Sequence, residues 1–216
     1  MKSYAVIGLG RFGSAMARSL YEYGEDVLAI DIKAELVDDI ADHVTRAVEA
    51  DAKDKDTLKS LGVQNCDTVI VGMGSDLAAS VLITMNLKTI GVKEIICKAH
   101  DETHREILEK LGADRVIIPE HVVAEKLART LASTNIMEYI DLSEECGVVE
   151  YKVPSSWVGK ALSELHIRSK YGVNVIAVKE QDKVKVAPAS DYRPGEGTTM
   201  LLIGEYQALE RIRRMK

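Results

Sequence analysis

The chain has 216 residues, room for one large domain or a medium one plus a small one. Its 46% hydrophobic and 29% charged content is that of a soluble globular protein, and an aromatic share of 5% predicts an aliphatic core. A formal net charge of −6 argues against a nucleic-acid binder, whose phosphate affinity needs a basic surface, and no apolar stretch approaches the roughly 20 residues of a membrane span.

Met1-Lys2-Ser3-Tyr4 runs directly into the first apolar run, residues 4–7, so no signal peptide is expected. Gly8-Leu9-Gly10-Arg11-Phe12-Gly13 follows and reads Gly-x-Gly-x-x-Gly, and a helical pattern opens at Ser14. A second apolar run, 27–30, ends on Asp31, eighteen residues past Gly13. Each part has a mechanical purpose. The first glycine makes the strand-to-helix turn, and the second lets backbone N–H groups approach a pyrophosphate. The third lets helix and strand pack closely, while the acid accepts hydrogen bonds from ribose hydroxyls. The glycines alone also describe a tight structural turn. Set between strand, helix and strand, with the acid in place, they predict an adenine-nucleotide site.

Further apolar runs at 46–48, 68–71, 94–97 and 115–118 alternate with amphipathic stretches at 34–41, 54–61, 76–90 and 102–111. This alternation predicts an α/β fold over residues 1–118, a Rossmann-type doubly wound parallel sheet of six strands. Cys66, Cys97 and Cys146 are odd in number and widely spaced, which fits free thiols buried in a reducing compartment; a redox or metal role is the alternative. His100 and His104 stand four apart, a spacing that can bind a metal but here reads as a solvated helix start, and His43 and His121 read as surface residues at helix ends.

Beyond Pro119, residues 120–133 read as a helix with Val122, Val123, Leu127 and Leu131 on one face. Together with 135–140 it forms an expected crossover helix and linker, 119–140, whose apolar surface needs a partner subunit. A small α+β unit is expected over 141–216. Its strands fall at 148–153, 173–178, 184–186 and 199–203, with a short helix opening at 156–162 and a final helix at 206–215. So small a unit is near the lower limit for a stable core, which favours pairing with a twin. The basic end, Arg211 to Lys216, suits the negative pole of that helix.

A dehydrogenase built on this loop needs a second domain carrying a proton-transfer group, and the remainder here is too small. No nucleophile elbow, Walker loop or paired-carboxylate motif occurs. A nucleotide site without chemistry to perform on its ligand predicts a sensor, not an enzyme. Two rivals stay in view. One is a small NAD(H)-binding oxidoreductase, in which Asp31 selects NAD over NADP; the other is an NADH redox sensor acting as a repressor, disfavoured by the acidic charge and the lack of a helix-turn-helix signal.

Val-Ile-Gly-Leu-Gly-Arg-Phe-Gly at 6–13, Asp31, Glu-Ala-Asp-Ala at 49–52 and Leu-Gly-Ala-Asp-Arg-Val-Ile at 111–117 resemble the regulator-of-potassium-conductance (RCK) proteins. More closely, they are similar to the cytosolic regulatory subunits of bacterial Ktr/Trk potassium-uptake systems, the TrkA/KtrA-like family. The likeness extends to 156–204, which resembles the family's small C-terminal domain. The resemblance implies homodimers assembled as an octameric ring beneath a membrane-embedded potassium channel, hence a cytoplasmic protein held at the inner face of the membrane by its partner. It also implies ATP and ADP competing for the N-terminal site to favour active and inactive ring shapes, with NAD or NADH in some relatives.

Carried over by position, the backbone of Gly8, Gly10, Arg11, Phe12 and Gly13 holds phosphates, and Asp31 takes the ribose with Ile32 and Lys33 beside it. Asp51 and Ala52 flank the adenine, Gly72 and Gly74 close the pocket, and Lys98 faces it. The family uses Arg11 to reach a terminal phosphate; a solvated arginine on a first helical turn is the alternative. At Glu120 relatives place an acid that helps hold Mg²⁺ or Ca²⁺ at the dimer interface, against a glutamate merely favoured by the helix dipole. Several relatives bind cyclic di-AMP in the C-terminal domain, which maps onto Ile167, Arg168, Asn174, Val175, Ile176 and Pro188, or onto a plain core strand.

Overall fold

In the computed structural model, which describes residues 1–74, 76–132, 135–143, 145–181 and 183–213, the chain divides into two compact units, Met1–His121 and Val122–Lys216. In the first unit strands β1 (Ser3–Ile7), β2 (Asp26–Asp31), β3 (Arg46–Glu49), β4 (Thr68–Val71), β5 (Ile95–Lys98) and β6 (Arg115–Ile117) form one parallel sheet in the order β3-β2-β1-β4-β5-β6. Helices α1 (Arg11–Glu22), α2 (Ala34–Asp38), α3 (Lys55–Ser60), α4 (Leu77–Thr89) and α5 (Glu102–Lys110) alternate with them. The strand order turns back between β1 and β4, so the loops after these two strands diverge and open a crevice at their carboxyl ends.

The strands read as continuous apolar runs because both faces are covered. Their period of two sends Ala5, Ile7, Val69 and Val71 into one core cluster and Val6, Val27, Ala29 and Ile70 into another on the opposite face. Each fully buried aliphatic side chain contributes roughly 1.5–3 kcal/mol. Three helices are stopped at their starts by aspartates. Asp54 opens α3, Asp76 opens α4 and Asp101 opens α5, and each carboxylate accepts a hydrogen bond from a first-turn N–H.

The second unit is an antiparallel sheet, β10-β9-β11-β8-β7, built from β7 (Ile136–Asp141), β8 (Cys146–Lys152), β9 (Asn174–Glu180), β10 (Lys183–Val186) and β11 (Thr199–Glu205). Helix α6 (Pro119–Leu131) carries the chain from the first unit into the second, and α7 (Leu162–Leu165), α8 (Ile167–Tyr171) and α9 (Tyr206–Arg213) complete it. Ser133, at the end of the expected 120–133 helix, and residues 214–216 of the basic end lie outside the described residues.

Three expectations need correction. Residues 136–140, expected as linker, fall in the edge strand β7, because Ile136 and Tyr139 both reach the core across a register shift while β8 supplies the backbone partners. Residues 156–162 do not open a helix. A short 3-10 turn, Ser155–Trp157, follows Pro154, Gly159 takes φ +74°, and regular helix starts only at Leu162. Nor is the whole core aliphatic. The core of the second unit contains Tyr151 and Trp157, with the partly buried Tyr171 packed against it, the ring centroids 5.7 Å (Tyr151–Trp157) and 5.8 Å (Trp157–Tyr171) apart.

On α6, Val122, Val123, Leu127 and Leu131 are each more than half exposed. Among the described residues no helix is long and apolar enough to cross a membrane.

Candidate functional site

The crevice at the switch point is walled by the loop between β1 and α1. Gly8 takes φ +89°, a region open to glycine, and its N–H donates to the Ile30 carbonyl at 2.8 Å, tying the turn to β2. Gly13 packs onto that turn from the first turn of α1: a Cβ there would be driven into the Gly8 carbonyl oxygen. Gly72 closes from the far side, where a Cβ would stand 2.8 Å from the same oxygen. Gly10 differs, since a Cβ there would meet nothing within 4 Å. It faces open space.

Gly10 is also the N-cap of α1, and unlike the aspartates before α3, α4 and α5 it offers no side chain to the first-turn N–H groups. Nor is there an acidic residue in that turn. The positive end of a twelve-residue helix is thus left without a capping side chain or a first-turn acid, the arrangement that binds phosphate. Below it, Asp31 ends β2. Its Oδ2 accepts from the Leu9 N–H at 2.6 Å and its Oδ1 from the Lys33 N–H at 2.9 Å. A carboxylate has roughly four acceptor positions, so two remain for a ligand's hydroxyls. One side chain braces the loop and still presents acceptors.

The resulting cleft has a volume of 590 Å³, within the range of small-molecule sites. Its walls bring together Gly8, Gly10, Arg11, Phe12, Asp31, Ile32, Lys33, Asp51, Ala52, Gly72, Gly74, Lys98 and Glu120. Gly13 lies beneath the wall as a packing residue. Met73, Asp76 and His100 also line the cleft and escaped the sequence reading. The signal for them was positional, because residues just past the carboxyl ends of β4 and β5 border the crevice in any doubly wound sheet.

Lys98 is mostly buried, with 16% of its side chain exposed, and its Nζ lies 2.7 Å from Glu120 Oε1. The hydrogen bond from Lys98 is the main reason the Glu120 carboxyl is held below its usual range, helped by its own backbone N–H and by the charges of Lys98 and Arg11. Among the described residues no group of three or more His, Cys, Asp or Glu side chains is arranged to hold a metal. Glu120 supplies one hard oxygen, and this chain alone does not complete a divalent-cation site.

The expected solvated helix start at His100 and His104 needs correction. His104 is fully buried, with its Nδ1 2.9 Å from His100 Nδ1, while His100 Nε2 lies 3.0 Å from Asp101. The carboxylate favours a proton on His100 Nε2, so His104 donates through Nδ1 and its buried Nε2 stays a bare acceptor. Burial is the first cause of a lowered His104 pKa, followed by the charge of His100. The unfolded chain therefore binds the extra proton first as pH falls below about 6.5, and stability present above that pH is lost on acidification. The melting temperature is expected to fall from pH 7 to pH 5, and His104→Gln to flatten that fall; an unchanged slope in the variant would remove His104 as its source. His43 and His121 are exposed.

The TrkA-N domain model matches residues 4–119 and the TrkA-C domain model residues 148–216. The chain is 38% identical to Ktr system potassium uptake protein C of Bacillus subtilis, over 99% of this chain and 96% of that protein. It is also 38% identical to Ktr system potassium uptake protein A of the same organism, over 97% and 95%. The chain belongs to the TrkA/Ktr family. Its members are regulatory proteins of potassium uptake, not enzymes, which accounts for a dinucleotide-type loop without catalytic side chains. The crystal structure of the GsuK RCK domain shares the fold at a TM-score of 0.67 and 18% identity, covering 99% of this chain and 48% of that one. The GsuK channel bound to NAD does so at 0.69 and 17%, covering 99% and 40%.

In the TrkA-C domain, Ile167, Arg168, Asn174, Val175 and Pro188 line an open groove of 640 Å³. Ile176 does not line it, and Ile167 is only 4% exposed and belongs to the core. Val175 also packs against that core. Of the six residues expected to hold a second ligand, Arg168 and Asn174 present exposed polar side chains.

Proposed function

We propose that this chain is a nucleotide-sensing regulatory subunit that gates a membrane potassium transporter. The observation that carries this reading is the uncapped N-terminus of α1 set over Asp31 in the switch-point cleft. The backbone N–H groups of the first turn would bind phosphate, and Asp31 would take the ribose. ATP and ADP would compete here, each favouring a different shape of a ring of dimers docked on its membrane partner. The exposed apolar face of α6 supports a second copy as its cover. Two such copies, with nucleotide phosphates, would complete a Mg²⁺ or Ca²⁺ site on Glu120. Arg168 and Asn174 would receive cyclic di-AMP across a C-terminal dimer.

Arg11 would be the residue that tells ATP from ADP. It is the first residue of α1, lines the cleft and lies close enough to Glu120 to act on its charge. Arg11→Ala is expected to lower the ratio of ATP to ADP affinity by about tenfold, with calorimetry on both nucleotides as the measurement. A ratio that does not move would remove Arg11 as the sensor. Titration of the purified protein with ATP, ADP, NAD and NADH tests the reading as a whole: tight, selective NADH binding without a response to ATP would favour the redox sensor.

A further inference from the structure

The ion pair on the wall of the cleft joins two unlike partners. Lys98 is anchored: its stem lies against the Gly74 backbone, where a Cβ would stand 3.3 Å from Lys98 Cε, and its Nζ sits 5.8 Å from the centre of the Phe12 ring. Glu120 is 63% exposed in the first turn of α6 and can swing into solvent. Lys98 is therefore the cation that stays in the cleft, and Glu120, when no divalent cation holds it beside the phosphates, the anion free to leave it. A ligand phosphate approaching the loop at Gly10 meets a lysine already neutralised by a carboxylate.

We propose that the Lys98–Glu120 pair is a latch, in which Glu120 competes with a nucleoside polyphosphate for Lys98 and so sets how strongly the cleft prefers phosphate-rich ligands. It presupposes a nucleotide in the cleft and adds a cost to its binding. A phosphate that displaces Glu120 gains a charge-assisted hydrogen bond from a poorly hydrated lysine but must first break an existing one. Adenosine, with no phosphate, leaves the latch closed. The displaced carboxylate belongs to the helix by which the chain passes from the first unit to the second, so the arrival of phosphate is registered at α6.

The test is a double-mutant cycle on the full chain in buffer containing EDTA, which separates the latch from any divalent cation on Glu120. ATP and adenosine are titrated into the wild type, Glu120→Gln, Lys98→Met and the double variant. Methionine preserves the apolar stem, and Glu120 is exposed, so both single variants are expected to fold. Glu120→Gln should bind ATP about threefold to tenfold more tightly, with adenosine affinity changed by less than about twofold. In the Lys98→Met background the same substitution should change ATP affinity by less than about twofold. Equal or weaker ATP binding by Glu120→Gln, an equal gain for adenosine, or a full gain without Lys98 would each overturn the latch. If the wild type binds ATP and the cycle is additive, the latch alone falls; if it binds no nucleotide, the proposed function falls with it.

Discussion

Replacing Gly13 with alanine is expected to lose both stability and nucleotide binding, while the same change at Gly10 loses binding alone. At Gly13 the added methyl points into the Gly8 carbonyl oxygen, which is backbone and has no rotamer to change. That oxygen is confined on its other side by Gly72, and the Gly8 turn is fastened to β2 through the Ile30 carbonyl. Relief would come only by tilting α1 away from the sheet, at a cost of about 2–4 kcal/mol from lost packing and a displaced loop. At Gly10 the methyl enters open space in the protein, so the melting temperature should stay within about 1 °C of wild type. The methyl would stand where a phosphate has to approach the first turn of α1, and nucleotide affinity should drop at least about tenfold. Thermal melts paired with calorimetry on both variants check this. Equal losses of stability would mean that Gly10 too is a packing residue.

Asp31→Ala is expected to weaken every ribose-bearing ligand by about tenfold to a hundredfold, the scale of one or two charge-assisted hydrogen bonds. ATP, ADP, NAD and adenosine should all be affected in similar proportion, because the ribose is common to them. The variant also removes the acceptors for the Leu9 and Lys33 N–H groups, so it loosens the loop as well as the sugar contact. Asp31→Asn separates the two effects. Its amide oxygen can keep one of the two backbone bonds but presents a donor where the second carboxylate oxygen stood. Stability close to wild type with affinity still reduced would assign the loss to the ligand. If affinity recovered fully in the asparagine variant, the role of Asp31 would be to hold the loop.

Most of the first unit was legible because its physics is local. Six apolar runs of strand length, each followed by a helix pattern, leave few arrangements, and the handedness of the crossovers leaves fewer. The glycine fingerprint was readable for the same reason: Gly8 and Gly13 answer to constraints only a few residues away. His104 was not legible. Its neighbours His100 and Asp101 are polar, and only the fold places the imidazole inside. The strand at 136–141 was missed because Ile-Met-Glu-Tyr-Ile-Asp does not alternate cleanly, and its partner β8 lies beyond a turn.

By itself, then, the sequence determined the doubly wound sheet, the place of the cleft on it and the residue types at its rim, because strand and helix periods and turn chemistry are written in neighbouring residues. Only the tertiary structure decided which charges meet there. Lys98 and Glu120 are twenty-two residues apart on different elements, and their pairing at 2.7 Å follows from where β5 ends and α6 begins. Asp31 likewise acquires its second duty, bracing the loop through the Leu9 N–H, only when β2 lies beside β1. Charge pairing depends on distance in space, and distance in space is what the order of residues alone leaves open.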